Sequence, residues 1–133
     1  VLGFRPESKK QYGIMEIEGS RVCKITEWKY WREYPQEKQQ AFQVCNSGIY
    51  AGRREDLIRY LLVLASRPHQ VQKEINGKLR EIKEYFITDI VEYMHDDGLP
   101  VGFVISDNED EVTGVDDLSA LLKAQRIFKD KYL

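Results

Sequence analysis

Cysteine, histidine and long apolar runs are all scarce in this chain of 133 residues, and each shortage closes off a class of function. The two cysteines, Cys23 and Cys45, make neither a disulfide framework nor a Cys-x-x-Cys metal knuckle, so a reducing, cytoplasmic setting is expected. The two histidines, His69 and His95, stand in no His-Glu-x-x-His or Cys/His arrangement and read as surface or capping residues. The longest purely apolar runs, such as Leu61–Ala65, fall far short of the roughly 20 residues a membrane-crossing helix needs, so no membrane partner is expected. Neither sign of charge dominates: 20 Lys and Arg against 22 Asp and Glu leave a net charge of −2. Nucleic acid is therefore not an expected partner. Among the nine glycines there is no Gly-x-Ser-x-Gly elbow and no phosphate loop of either the Gly-x-x-x-x-Gly-Lys or the Gly-x-Gly-x-x-Gly kind.

What remains is 42% hydrophobic, 32% charged and 11% aromatic, the make-up of one compact domain with a real core. Residues 1–4 read as a strand, followed by a polar turn over residues 6–10. Period-two alternation over residues 14–17 and 21–25 around Gly19 predicts a β-hairpin. Pro35 opens a short polar helix reaching about Gln40, and residues 43–50 form a strand that Asn46-Ser47-Gly48 interrupts where a ligand could approach the backbone. A helix with Leu57, Ile58, Leu61, Leu62 and Leu64 on its apolar face runs from Arg53 to the stop at Pro68. Residues 69–83 read as a polar, lysine-rich connection, and a second helix is expected from about Glu84 to the Asp97-Gly98 cap. Residues 101–105 suggest a short buried strand, and a last amphipathic helix begins near Asp116 or Asp117 with Leu118, Leu121, Leu122 and Ile127 on one side. The sum is an α/β fold: a layered mixed sheet with a β-hairpin and three main helices.

Several conspicuous groups have plain structural readings. The acids Asp107, Glu109, Asp110, Glu111, Asp116 and Asp117 have Val112 where a calcium loop needs glycine, so they read as a solvated loop and a helix cap. Trp28, Tyr30, Trp31 and Tyr34 read as core or interface packing in preference to a stacking platform. The lysines between Lys73 and Lys83 are interrupted by Glu74 and Glu81, as in a solvated loop.

Five short pieces in order are more specific: Tyr12-Gly13, Ile25-Thr26-Glu27-Trp28-Lys29, Asn46-Ser47-Gly48-Ile49, Glu84-Tyr85-Phe86-Ile87-Thr88-Asp89, and Glu111-Val112-Thr113-Gly114-Val115-Asp116. Together they resemble the sugar-binding half of the bacterial N-acetylglucosamine-1-phosphate uridylyltransferases, and they cover nearly the whole chain. The resemblance implies a partial Rossmann-like sugar-nucleotidyltransferase fold. It also implies a parent reaction in which a sugar 1-phosphate attacks the α-phosphorus of UTP, with Mg²⁺ neutralising the phosphates, on the route to cell-wall aminosugars. Such transfer works by positioning and charge stabilisation, so the lack of a Ser-His or Cys-His pair is no objection. By similarity, Glu27, Asn46 and Gly13 would offer the sugar a carboxylate, a carboxamide and a bare backbone amide. Phe86 and Thr88 would line the same pocket near the acetamido and phosphate groups, and Asp116 takes the place of the family's metal-binding asparagine.

The chain also departs from that family. Gln11 and Ile14 flank Tyr12-Gly13 where the family has glycine and often arginine, Tyr30 follows Lys29 in place of aspartate, and the stretch from Pro68 to Lys83 is longer. The family's glycine-rich nucleotide loop, the aspartate that shares its metal, and its β-helix acetyltransferase domain have no counterpart here. With Val1 opening directly into a strand, residues 1–133 read as the sugar lobe alone, inactive without its nucleotide-binding half. Two other readings stay open: a lobe acting on another sugar phosphate such as glucose 1-phosphate, and a non-catalytic interaction module presenting Trp28–Tyr34. Self-association is expected through residues 1–5 or the 14–25 hairpin, whose strand edges would otherwise be bare.

Overall fold

The computed structural model describes residues 1–9, 11–112 and 114–133. Lys10 of the expected polar turn and Thr113 of the last motif lie outside the described residues. The chain is an α/β structure whose centre is a five-stranded mixed sheet, ordered β3-β2-β4-β1-β7. These strands are β1 (Leu2–Phe4), β2 (Ile14–Glu18), β3 (Arg21–Thr26), β4 (Cys45–Ile49) and β7 (Val104–Ser106). Only β1 and β7 run parallel; the other neighbours are antiparallel. β1 is paired on both sides, so of the two segments expected to associate only the hairpin's β3 lies at a sheet margin.

The alternation in β2 fixes its two faces. Ile14 points into a cluster with Phe4, Trp31, Cys45 and Val112, while its neighbour Met15 enters a second cluster with Val22, Ile25, Val44 and Val91. A sheet covered on both sides holds its register strongly, because a one-residue slip would exchange the two clusters. Gly3 matters here: a Cβ at that position would lie 2.7 Å from Val44 and 2.8 Å from Met15, so only glycine lets these side chains close over β1. On the first face the short helix α1 (Trp28–Trp31) buries Trp31, whose indole N–H donates to the Tyr12 carbonyl at 2.8 Å. Trp28 and Tyr34 are half-buried against the same cluster, so three of the four aromatics serve as core and only Tyr30 is exposed. The helix α2 (Gln36–Ala41) follows Pro35 as expected.

The helices α3 (Arg54–Ala65) and α4 (Asp89–Asp96) pack together beside the second face through Tyr60, Leu64 and Ile90. The Tyr60 hydroxyl donates to Asp97 at 2.7 Å. Of the apolar residues expected on the covered face of α3, Leu64 is buried, whereas Ile58, Leu61 and Leu62 are exposed. α4 ends in the expected glycine cap: Gly98 has φ +77°, its amide donates to the His95 carbonyl, and the Leu99 amide donates to that of Met94. The last helix, α5 (Leu118–Tyr132), starts at Asp117, whose carboxylate accepts from the Ala120 amide at 2.7 Å. Lys123 and Lys131 tie it back to Asp110 and Glu111, which leaves the acidic stretch a partly paired surface loop.

Four expectations are corrected. Residues 69–83 are no loose connection: β5 (His69–Ile75) and β6 (Lys78–Glu84) form a hairpin with seven register pairs, a separate two-stranded sheet. Its turn is Asn76-Gly77, both with positive φ (53° and 71°), the pairing that a right-twisted hairpin favours. Consequently α4 begins at Asp89 and not near Glu84, because Glu84 is held in β6 opposite His69. The strand expected to be buried over 101–105 is the marginal β7, with Val104 exposed. The apolar side of α5 is not covered: Leu118, Leu121 and Leu122 are exposed, and the helix buries none of its residues. No helix of the described residues is long and apolar enough to cross a membrane.

Candidate functional site

Three elements bring short polar groups together at one end of the sheet. Gly13 precedes β2, Glu27 follows β3 at the residue before α1, and Asn46 lies in β4. The Asn46 amide donates to the Gly13 carbonyl at 2.8 Å, which fixes the two strands side by side. A Cβ built on Gly13 would stand 3.6 Å from Glu27 Oε2, so the missing side chain leaves the carboxylate oxygen and the backbone facing one another. The other carboxylate oxygen, Oε1, accepts from the hydroxyl of Thr88 at 2.8 Å; Thr88 is buried at the N-terminus of α4.

The Asn46 side chain is held by its own loop. Its Oδ1 accepts from the Gly48 amide at 3.1 Å, and its Nδ2 donates to the Tyr50 hydroxyl at 2.8 Å. Gly48 has φ +80°, which allows the backbone to fold back on Asn46. Burial pushes the Tyr50 phenol above its usual pKa, against the pull of the Asn46 hydrogen bond, and the charge of Glu27 pushes it further up. Tyr50 is thus a member of this group that the sequence reasoning missed; its spacing of four from Asn46 across a glycine turn was the available signal.

Phe86 stands beside this group. The Lys29 ammonium sits 4.0 Å from the centre of its ring, and the His69 ring packs against it with centres 4.7 Å apart. Lys29 also approaches Glu84 at 3.7 Å, and Glu84 is paired with Lys73 of the hairpin. Hydrogen bonding from Lys73, opposed by desolvation and reinforced by the charges of Lys73 and Lys29, holds the Glu84 carboxyl below its usual value. His69 is neither a bare surface residue nor a cap: its Nε2 lies 2.6 Å from Asp89 Oδ2, the first residue of α4. His95 is exposed.

Two cavities flank the group. A polar cleft of about 360 Å³ is lined by Glu27, Thr26, Tyr30, His69, Asp89 and Glu92. An apolar pocket of about 290 Å³ is lined by Tyr50, Leu57, Ile87, Ile90, Val91 and Met94.

The structure therefore joins Gly13, Glu27, Asn46 and Thr88 through direct contacts and sets Phe86 on the same turn as Thr88. Asp116 is not joined to them by any hydrogen bond, ion pair or ring contact among the described residues; it is exposed, and its carboxylate lies against Gly114 ahead of α5. Nor does any group of three or more His, Cys, Asp or Glu side chains among the described residues stand ready to hold a metal ion. A hard cation needs about six oxygen ligands, of which Asp116 offers two at most, so these residues do not make a magnesium site by themselves. The chemistry on offer is recognition: carboxylate, carboxamide, hydroxyl and phenol suit a neutral ligand rich in hydroxyl and amide groups. The Thr88 hydroxyl faces Glu27, not His69, and burial pushes the Cys45 thiol up to about 11, far from thiolate chemistry near neutral pH.

No family model matches the chain. Individual relatives do. It is 31% identical over 125 residues to the bifunctional protein GlmU of Novosphingobium aromaticivorans, a match that takes in 94% of the chain and 24% of that protein. The bifunctional protein GlmU of Hyphomonas neptunium is 30% identical over 132 residues (98% of the chain), and that of Ruegeria pomeroyi 28% over 131 residues (98%). The chain spans about a quarter of the length of each of these relatives.

Proposed function

Over nearly its whole length the chain belongs to the same sequence family as one quarter-length segment of the bifunctional GlmU proteins, and from that premise we propose that it is the sugar-recognition half of a nucleotidyltransferase domain. The parent reaction is transfer of a uridylyl group from UTP to N-acetylglucosamine 1-phosphate, giving UDP-N-acetylglucosamine and pyrophosphate in the cytoplasm. Residues 1–133 supply the sugar site, and the triphosphate is bound by a nucleotide lobe of Rossmann-like design. The observation that carries this reading is the convergence of Gly13, Glu27, Asn46 and Thr88 from four separate elements.

In this reading Glu27 accepts from sugar hydroxyls with the oxygen that faces Gly13, and Asn46 presents its carboxamide to the N-acetyl group. Thr88 keeps the carboxylate oriented, and Phe86 supplies an apolar wall to the ring. The dense hydrogen bonding of Asn46 and Glu27 to protein groups fixes both before a ligand arrives, which lowers the ordering cost of binding. Asp116 would offer one carboxylate to a Mg²⁺ ion whose other ligands would come from the nucleotide lobe and the substrate, and such an ion would supply neutralisation of phosphate charge. The chain alone is therefore inactive in pyrophosphate release.

Calorimetric titration with UDP-N-acetylglucosamine, with and without Mg²⁺, tests the assignment. Saturable binding by the parent chain that both Asn46→Ala and Glu27→Ala weaken at least tenfold is expected. UDP-glucose binding as tightly as the N-acetyl sugar would transfer the reading to another sugar phosphate. Absence of binding even after the nucleotide-binding half of a relative is added would favour a non-catalytic module.

A further inference from the structure

We propose that His69, carried on the β5–β6 hairpin, is a positioning residue for the sugar site, so that the hairpin sets the aromatic wall and the Thr88–Glu27 contact. The inference rests on the reading of that site given above. It starts from the placement of one turn, residues 84–89, which is gripped from two sides. From the body of the sheet, α1 contributes Lys29, set 4.0 Å from the Phe86 ring and 3.7 Å from Glu84, and Glu27 takes the Thr88 hydroxyl at 2.8 Å. From the hairpin, Lys73 pairs with Glu84, and His69 packs on the Phe86 ring while its Nε2 meets Asp89 at 2.6 Å.

His69 and Lys29 thus bracket one aromatic ring, and His69 holds the residue that directly follows Thr88. A residue so placed controls two things at once: the angle of Phe86 and the position from which Thr88 reaches Glu27. It does so at the joint where the hairpin meets the domain, since His69 opens β5 and pairs with Glu84, the last residue of β6. The rest of the hairpin is largely exposed, so its attachment depends on this joint. Tyr30, with its ring centre 6.4 Å from that of His69, completes the aromatic side of the cleft.

The test combines ligand-independent and ligand-dependent readouts on the full chain. NMR signals of the Phe86 ring and the Thr88 amide are compared for the parent, His69→Ala, His69→Gln and Asp89→Asn, with buried Val22 and Trp31 signals as the check on global folding. UDP-N-acetylglucosamine affinity is measured on the same samples, and Lys78→Ala at the hairpin turn is the control. His69→Ala is expected to move both the Phe86 and the Thr88 signals and to weaken binding about tenfold, as when one organising hydrogen bond is lost. His69→Gln, which keeps a donor for Asp89, is expected to restore the Thr88 signal and most of the affinity; Asp89→Asn should move the Thr88 signal, and Lys78→Ala should change nothing. Unmoved Phe86 and Thr88 signals in His69→Ala, or glutamine faring no better than alanine, would overturn the inference. Should no nucleotide sugar bind even after a relative's nucleotide-binding half is added, the functional reading fails while the NMR signals still decide whether His69 positions the turn.

Discussion

The five-stranded sheet and the β5–β6 hairpin share one kind of local geometry and are held by different forces. In the sheet, Ile14, Met15, Val22 and Ile25 are buried on two sides, and burial of apolar area fixes register and stability together. In the hairpin, directly paired residues such as Gln72 and Glu81, or Lys73 and Arg80, are exposed, so register is set by the Asn76-Gly77 turn. Its place on the domain is set by the polar joint of His69, Asp89, Lys73 and Glu84. The candidate site lies where the two regimes meet: its anchors Gly13, Glu27 and Asn46 sit on or beside sheet strands, while Phe86 and Thr88 lie on the turn the hairpin feeds. A rigid half and an adjustable half follow from the packing.

The largest effect that can break this contrast is in the core. Phe4→Ala empties a fully buried position beside Trp31 and Cys45, and denaturant unfolding should show a loss of about 3–5 kcal/mol across the whole domain. Gly77→Ala should cost about 1–2 kcal/mol, because its φ of 71° is unfavourable for alanine, but only locally. Hydrogen exchange of β5 and β6 amides should speed up while the global midpoint stays put; a matching fall in that midpoint would mean that the hairpin is integral to the core. Removing the hydroxyl in Tyr60→Phe, which leaves Asp97 without that donor, should lower global stability by about 1 kcal/mol in the same unfolding assay.

The smallest expected effect is the pH response of the joint. Glu84 is held below its usual value of 4.5, so its contribution is present above 4.5 and fades as the pH falls through the lower folded value. Protection of the amides at the base of the hairpin, relative to their intrinsic exchange at each pH, should therefore fall in acid before that of β2 and β4. Simultaneous loss of both regions would erase the distinction.

The same contrast explains what was legible in the sequence. Strands β2 and β3 announce themselves because apolar and charged residues alternate along them, Ile17 between Glu16 and Glu18 and Val22 and Ile25 beside Arg21 and Lys24, whereas β4 shows only as a stretch that Asn46-Ser47-Gly48 interrupts. The hairpin has polar residues on both faces, Gln70, Gln72, Glu81 and Lys83 on one and Lys73, Lys78 and Arg80 on the other, so no clean alternation marks it, and only the Asn-Gly pair betrayed the turn. Overlooking that pair also placed the start of α4 five residues early. For α5 the opposite holds: an apolar stripe is present in Leu118, Leu121 and Leu122, yet these three stay exposed among the described residues. Of the site, Gly13, Glu27, Asn46, Phe86 and Thr88 were named from motif resemblance, and no periodicity pointed to them. The His69–Asp89 pair was invisible, since 20 residues and a whole hairpin separate its members.

The central claim is that a sugar nucleotide settles on the sheet-borne anchors and contacts the hairpin-fed turn. An amide chemical-shift map of the chain during addition of UDP-N-acetylglucosamine tests it most directly. Concerted shifts at Gly13, Glu27, Asn46 and Thr88, saturating together and leaving the hairpin tip at Asn76 and Gly77 unmoved, are predicted. Shifts confined to the exposed side of α5 or to the hairpin tip, with the four anchors silent, would contradict it.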